Sequence, residues 1–132
     1  MGRVTTTIAR REMLLEKERK LEERITERHV KAFLDLLILA ILNGNPMYGY
    51  KIIAAVHKEF GVLLSPGSLY PLLHALEEKR MVESQSQGGR IVYSVTSNGK
   101  KIFQNTVTEY KATIRQMDNF INSNTRNPSQ GL

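Results

Sequence analysis

The sequence predicts a mostly helical α+β fold: a three-helix core, a two-stranded hairpin behind it, and long helices on both flanks. Three observations carry that prediction. Apolar side chains recur at helical spacing through residues 33–60 and 65–78. A β-branched and aromatic run, Arg90 to Val95, follows the turn residues Gly88-Gly89. A heptad-spaced apolar seam then crosses residues 103–121.

The elements follow in order. Residues 9–31 are rich in Arg, Glu, Lys and Leu and hold no Gly or Pro, which favours one continuous helix. Leu14, Leu21 and Ile25 form its narrow apolar stripe, interrupted by Glu18 and Arg28, and so narrow a stripe wants a partner surface. From Phe33 to Leu42 the helix turns apolar nearly all round, as in an element enclosed by others. Asn43-Gly44 ends it, with Gly44 suited to a left-handed residue, and Asn45 with Pro46 opens the next helix as N-cap and first residue. Ile52, Ile53, Val56 and Phe60 give this second core helix a buried face, and Gly61 closes it.

The third core helix starts in Ser65-Pro66-Gly67-Ser68, with Leu69, Leu72, Leu73 and Leu76 pointing inward. Gly67, Ser68, Pro71, His74, Ala75 and Glu78 take the opposite face. With Ser68 as N-cap, Pro71 falls in the first turn, where its missing N–H is tolerated. Residues 82–86 and 90–95 pair as a hairpin, and Thr96 or Ser97 caps a last helix running to about Ile121. In that helix Phe103, Val107, Tyr110, Ile114, Met117 and Ile121 step by alternating intervals of four and three. The seam spans about 27 Å at 1.5 Å per residue. A seam of that length suits a long partner: the same helix of a second subunit, or the N-terminal helix of either. A homodimer using both is expected, with packing on the helix's own domain as the second choice.

Composition narrows the function classes. At 132 residues with 24% charged side chains, the chain is one ordinary globular domain, expected to divide as follows. Residues 1–32 form a basic helical arm, 33–96 the reading domain, 97–123 a dimerisation helix and 124–132 a polar tail. The net charge of +6 is carried entirely by the flanks, because residues 32–96 balance to zero. A basic surplus favours a polyanionic partner. There is no cysteine, which excludes disulfides, thiol nucleophiles and thiolate metal sites. With neither a signal-like start nor an apolar run approaching about 20 residues, the expected address is the cytoplasm and no membrane partner is expected. No metal-ligand spacing joins His29, His57 and His74, and no glycine loop or nucleophile motif appears. Neither enzyme activity nor a cofactor is therefore expected.

Three helices followed by a two-stranded wing describe a winged helix-turn-helix. The residues themselves go further. The stretches LDLLILAILNGNPMYGYKII, LLSPGSLYPLLHALEEKRMVES and GGRIVYSVTSNGKK resemble the PadR-like transcriptional regulators. In that family Leu-Ser-Pro-Gly-Thr-Leu-Tyr-Pro opens the recognition helix and Tyr-x-Leu-Thr-x-x-Gly leaves the wing. The resemblance covers residues 33–101, and the single closing helix is similar to that of the family's smaller branch. It implies a dimeric, cytoplasmic DNA-binding repressor with a recognition helix in each major groove and the wing on the flanking backbone. Asn45-Pro46 stands where Gly-Pro is usual, Val92 where Tyr is frequent, and there is no Trp of the kind that some drug-sensing relatives use to stack flat ligands.

Candidate DNA contacts follow. Ser65, Gly67, Ser68 and Tyr70 lie at the start of the recognition helix, whose N-terminus favours a phosphate. His74 offers a donor to a base edge, and Pro71 an apolar surface to a thymine methyl. Tyr70 has a second reading as a partly buried packing residue; the resemblance favours contact. Tyr48 and Lys51 are candidates for the DNA backbone, and Gly88, Gly89 and Arg90 for a wing-tip contact with a phosphate or the minor groove. Because the reader itself is neutral, Arg3, Arg10, Arg11, Lys100 and Lys101 are expected to add sequence-independent attraction. The partners expected are double-stranded DNA with a palindromic operator and a second copy of the chain. No motif identifies a small-molecule effector. Two other functions stay open: an architectural DNA-binding protein without sequence preference, and a winged-helix adaptor whose seam binds a different protein.

Overall fold

The computed structural model describes residues 2–125, with the side chains of 2–5, 22 and 23 left out. The polar tail expected at 124–132 therefore lies outside the described residues from 126 onward, as does the side chain of Arg3. Five helices and a small sheet follow in the order α1 (Gly2–Ala32), α2 (Leu34–Gly44), β1 (Met47–Tyr48), α3 (Gly49–Phe60), α4 (Pro66–Glu78), β2 (Val82–Gln87), β3 (Arg90–Val95) and α5 (Ser97–Asn124). This is the expected α+β winged helix, and the residues that hold it are the expected apolar ones except Phe60, which stands exposed at the end of α3 and not on its buried face. Ile38, Ile52, Val56, Leu69, Leu73 and Val82 are fully buried, so α2, α3, α4 and β2 each send at least one side chain to the centre. Each such burial contributes roughly 1.5–3 kcal/mol.

The local expectations fare unevenly. The long first helix does not run on into the apolar segment, because Phe33 leaves helical geometry at φ −112° and ψ 23°. The hydrogen bonds on either side persist, from Phe33 N to His29 O and from Leu37 N to Phe33 O, so the chain bends without unwinding. Val30 is the single buried residue among the described side chains of α1, which therefore meets the domain only at its C-terminal end.

Gly44 corrects a second expectation. The helix continues through it in right-handed geometry, and the chain leaves by an extended Asn45 at φ −155°. Asn45 and Pro46 do not open α3. Met47 and Tyr48 instead pair antiparallel with Tyr93 and Val92, adding a third strand to the wing in the order β1-β3-β2. The ladder explains the shift. Pairing satisfies the backbone of Met47 and Tyr48 and seats Met47 against the core, neither of which a helix start at Asn45 provides.

Gly61 closes α3 as expected, at φ +69° with its N–H donating to His57 O. The wing turn is a two-residue loop with Gly88 at φ +57° and Gly89 at φ +78°, the geometry that two left-handed central residues give a tight hairpin.

The junction from α4 to α5 is built on backbone contacts. Arg80 lies at φ +59°, with its N–H donating to Glu77 O and that of Met81 to Leu76 O. This is a Schellman ending with an arginine in the place usually taken by glycine. Thr96 then stitches α5 to that ending. Its N–H donates to Met81 O at 3.0 Å, its hydroxyl donates to Arg80 O at 2.6 Å, and the same oxygen caps α5 by accepting from Gly99 N at 2.9 Å.

Candidate nucleic-acid interface

The exposed face of α4 begins at its cap. Ser65, extended at φ −82° and ψ 153°, accepts from Ser68 N at 3.1 Å, and Pro66 takes the first helical position. Ser65, not Ser68, is therefore the N-cap, and the Ser68 hydroxyl lies 3.0 Å from that of Ser65. The capping shift places Pro71 beyond the first turn, inside the helix. With no N–H, Pro71 leaves the Gly67 carbonyl without its helical donor, a cost accepted on an open surface. Gly67, Ser68, Pro71 and His74 all face solvent, on the side opposite the buried Leu69, Leu73 and Leu76. The arrangement is a helix N-terminus at which Pro66 has no N–H, Ser68 and Leu69 already donate to Ser65, and the Gly67 N–H remains to donate outward, beside two hydroxyls and a half-turn of backbone carrying no bulky side chain. Such a surface accepts an anion and admits close approach of another molecule.

Tyr70 sits differently. It is half-buried and packed against the core, and its ring lies over the start of α3. A Cβ at Gly49 would stand 2.5 Å from the Tyr70 hydroxyl oxygen, so the Tyr70 ring keeps this place only with glycine there. Of the two readings of Tyr70, this geometry supplies the packing one directly.

The wing and the first turn of α3 meet beside it. The rings of Tyr48 and Tyr50 stack at 5.7 Å and 8°. The Arg90 guanidinium lies 5.4 Å from the first ring centroid and 5.8 Å from the second, and donates to the Tyr50 hydroxyl at 3.3 Å. Lys51 Nζ approaches the outer part of the same group, 5.8 Å from the Tyr48 centroid. Tyr48, Lys51 and Arg90 are thus brought together, with Tyr50 as a member that the sequence reading missed. Its signal was available in Tyr48-Gly49-Tyr50-Lys51, two aromatics one residue apart at a helix start. Below this cluster Tyr93 is buried, and its phenol is pushed above the usual range by burial first, then by the neighbouring Tyr70 and Glu77.

The flanking cations divide. Lys100 and Lys101 are exposed in the first turn of α5, next to the sheet. Arg10 and Arg11 are exposed on α1, about 30 Å along the helix from the buried Val30 at 1.5 Å per residue. That separation leaves them apart from the α4 face.

The seam of α5 also divides. Phe103, Val107, Tyr110 and Ile114 are half-buried, with Tyr110 edge-on to Phe33 at 4.9 Å and 75°. This half packs on its own domain. Met117 and Ile121 are more than half exposed, at 53% and 54%, as is Phe120 at 70%. On α1, Leu14, Leu21 and Ile25 are exposed too. Two apolar stripes therefore lie open in a single chain. Among the described residues no helix is long and apolar enough to cross a membrane.

Comparison with known proteins gives a consistent picture. The model of the transcriptional regulator PadR-like family matches residues 38–105. A PadR family transcription regulator from Clostridium difficile is 30% identical, covers 67% of this chain and 98% of its own, and superposes with a TM-score of 0.61. A transcriptional regulator from Clostridium thermocellum shares the fold at a TM-score of 0.66 and 21% identity, covering 72% of this chain and 96% of its own. F93 from STIV, a winged-helix DNA-binding protein, shares it at 0.54 and 22%, covering 62% of this chain and 89% of its own. A 37.1 kDa protein of a Streptomyces fradiae transposon is 36% identical over 70 residues, which are 52% of this chain and 20% of that protein's length.

Proposed function

The chain belongs to the transcriptional regulator PadR-like family, and from that premise we propose that it is a homodimeric, sequence-specific repressor of transcription acting in the cytoplasm. The observation that carries this reading is the capped, solvent-facing start of α4. It offers the Gly67 N–H and the Ser65 and Ser68 hydroxyls to solvent, and through Tyr70 the same helix borders the wing, where Arg90 is already gathered with Tyr48 and Lys51. In the proposed complex α4 enters the major groove, where Ser68 and His74 reach base edges and Pro71 meets a thymine methyl. Ser65 and Gly67 let the backbone approach a phosphate, and Tyr70 adds its hydroxyl at the edge of the contact. The Gly88-Gly89 turn and Arg90 lie on the flanking backbone, and Lys100 and Lys101, past the far end of the hairpin, add attraction that does not depend on sequence.

Two copies complete the reader. The open stripes fit one another in chemistry: Leu14, Leu21 and Ile25 of one subunit against the Met117 and Ile121 end of α5 in the other. Two-fold symmetry then calls for a palindromic operator with half-sites about 34 Å apart. Residues 1–32 serve as arm, 33–96 as reader, 97–123 as dimer helix and 124–132 as tail. No catalytic role is proposed, since both the family and the structural relatives are regulators.

A second reading has one observation in its favour. The surplus positive charge sits on the flanks of a neutral reader, which suits architectural binding without sequence preference. Capture of fragmented genomic DNA by the purified protein under excess random competitor separates the two. A shared palindrome among the recovered fragments supports the repressor; recovery with no shared site supports the architectural protein and refutes the sequence-specific one.

A further inference from the structure

The pair Tyr48 and Tyr50 does more than line the wing. Tyr50 is 52% exposed, so its ring is not placed by the core. What it touches is the parallel ring of Tyr48 and the guanidinium of Arg90, which receives two ring faces and one hydroxyl. Arg90 follows a two-glycine turn on the outermost part of the hairpin, where a long cationic side chain would otherwise sample many rotamers. Ring faces attract a guanidinium through their negative quadrupole and leave its outer N–H groups free to donate. Among the described residues no carboxylate pairs with Arg90 or Lys51, so two cations converge on one aromatic pair with their charge uncompensated.

We infer that Tyr50, backed by Tyr48, is a positioning residue: it holds Arg90 in the conformation from which the wing meets a DNA phosphate. This rests on the DNA-binding reading above and adds to it a residue whose role is exercised through another. Tyr50 sets the affinity of the wing contact without carrying its charge.

The test combines a double-mutant cycle with a spectrum of the free protein. A fluorescein-labelled duplex of arbitrary sequence is titrated with wild type, R90A, Y50A, the double variant and Y50F over a range of KCl. R90A is expected to weaken binding about 5- to 10-fold and to reduce the slope of log K against log salt by about 0.9. Y50A is expected to weaken it about 3- to 5-fold with the slope retained, because the charge remains. Y50F, keeping the ring face, stays within about 2-fold of wild type, and Y50A adds nothing once Arg90 is gone. In the free protein the Arg90 Hδ resonances are shifted upfield by the rings in wild type and Y50F, and clearly less so in Y50A, where Tyr48 alone remains.

Equal losses from Y50A with and without Arg90 overturn the positioning role while leaving DNA binding intact. So do unshifted Arg90 resonances in the wild-type protein. A wild type that binds no duplex refutes the DNA reading itself and takes this role with it.

Discussion

Replacing Gly99 by alanine should unfold this domain far more readily, although Gly to Ala inside a helix ordinarily stabilises by about 1 kcal/mol. A Cβ at Gly99 would stand 2.0 Å from the carbonyl oxygen of Met81, 2.9 Å from its carbon and 2.8 Å from Val95 Cγ2. A relaxed carbon–oxygen contact is about 3.3 Å, so α5 or the Arg80-Met81 turn must move by more than about 1 Å. Neither moves freely. Thr96 N donates to the same Met81 oxygen, the Thr96 hydroxyl donates to Arg80 O, and Gly99 N is bound by that hydroxyl as the cap of α5. Losing the cap costs about 1 kcal/mol, weakening the stitch costs a similar amount, and overpacking costs roughly 1–3 kcal/mol. After the helix gain of about 1 kcal/mol is subtracted, the net loss is about 2–4 kcal/mol. Equilibrium urea unfolding of G99A against wild type measures it. G67A and G44A serve as controls, since a Cβ at Gly67 meets nothing nearer than 3.8 Å and one at Gly44 nothing within 4 Å. If G99A is as stable as wild type or more so, the close approach of α5 to the end of α4 is not what glycine serves.

Three further outcomes are expected. R80G should raise stability by about 1 kcal/mol in the same urea assay, because Arg80 holds a left-handed conformation that costs an L residue about 1–2 kcal/mol while its backbone contacts survive the change. R10A/R11A should weaken binding to all duplexes alike and flatten the salt slope, whereas S68A should mainly relax specificity; if S68A too lost affinity equally on specific and random duplex, that division would be contradicted. Tyr93 has a raised folded pKa, so its contribution to stability is complete below about pH 10, the unfolded value, and is lost as pH rises through the folded one. Unfolding midpoints measured from pH 8 to pH 11 should therefore fall more steeply for wild type than for Y93F.

What the sequence made legible was what is encoded locally. Gly61, Gly88-Gly89 and Thr96 each stand where their own chemistry ends a helix, turns a hairpin or caps a helix, and the structure uses each that way. The inward leucines of α4 were equally plain from their spacing. The failures share a cause in nonlocal partners. Met47 and Tyr48 become a strand only because β3 lies alongside, and two residues carry no periodicity to announce it. Arg80 carries no local signal for a left-handed backbone, which goes with the Schellman bonds from its own N–H to Glu77 O and from Met81 N to Leu76 O. Ser65 and Ser68 compete for one cap, and the first wins because Pro66 after it takes the position where a missing N–H is harmless. Of the candidate contacts, the α4 face was readable as a face. The tyrosine pair around Arg90 joins residues forty positions apart, which no local pattern reveals.

The central claim is that two copies of α4 read two major grooves on one face of a duplex. Methylation interference at guanine N7, on a site recovered from genomic DNA, tests it most directly. Two interference tracts are expected in successive major grooves, related by two-fold symmetry and centred about 34 Å apart. A single tract, or none alongside undiminished binding, would contradict it.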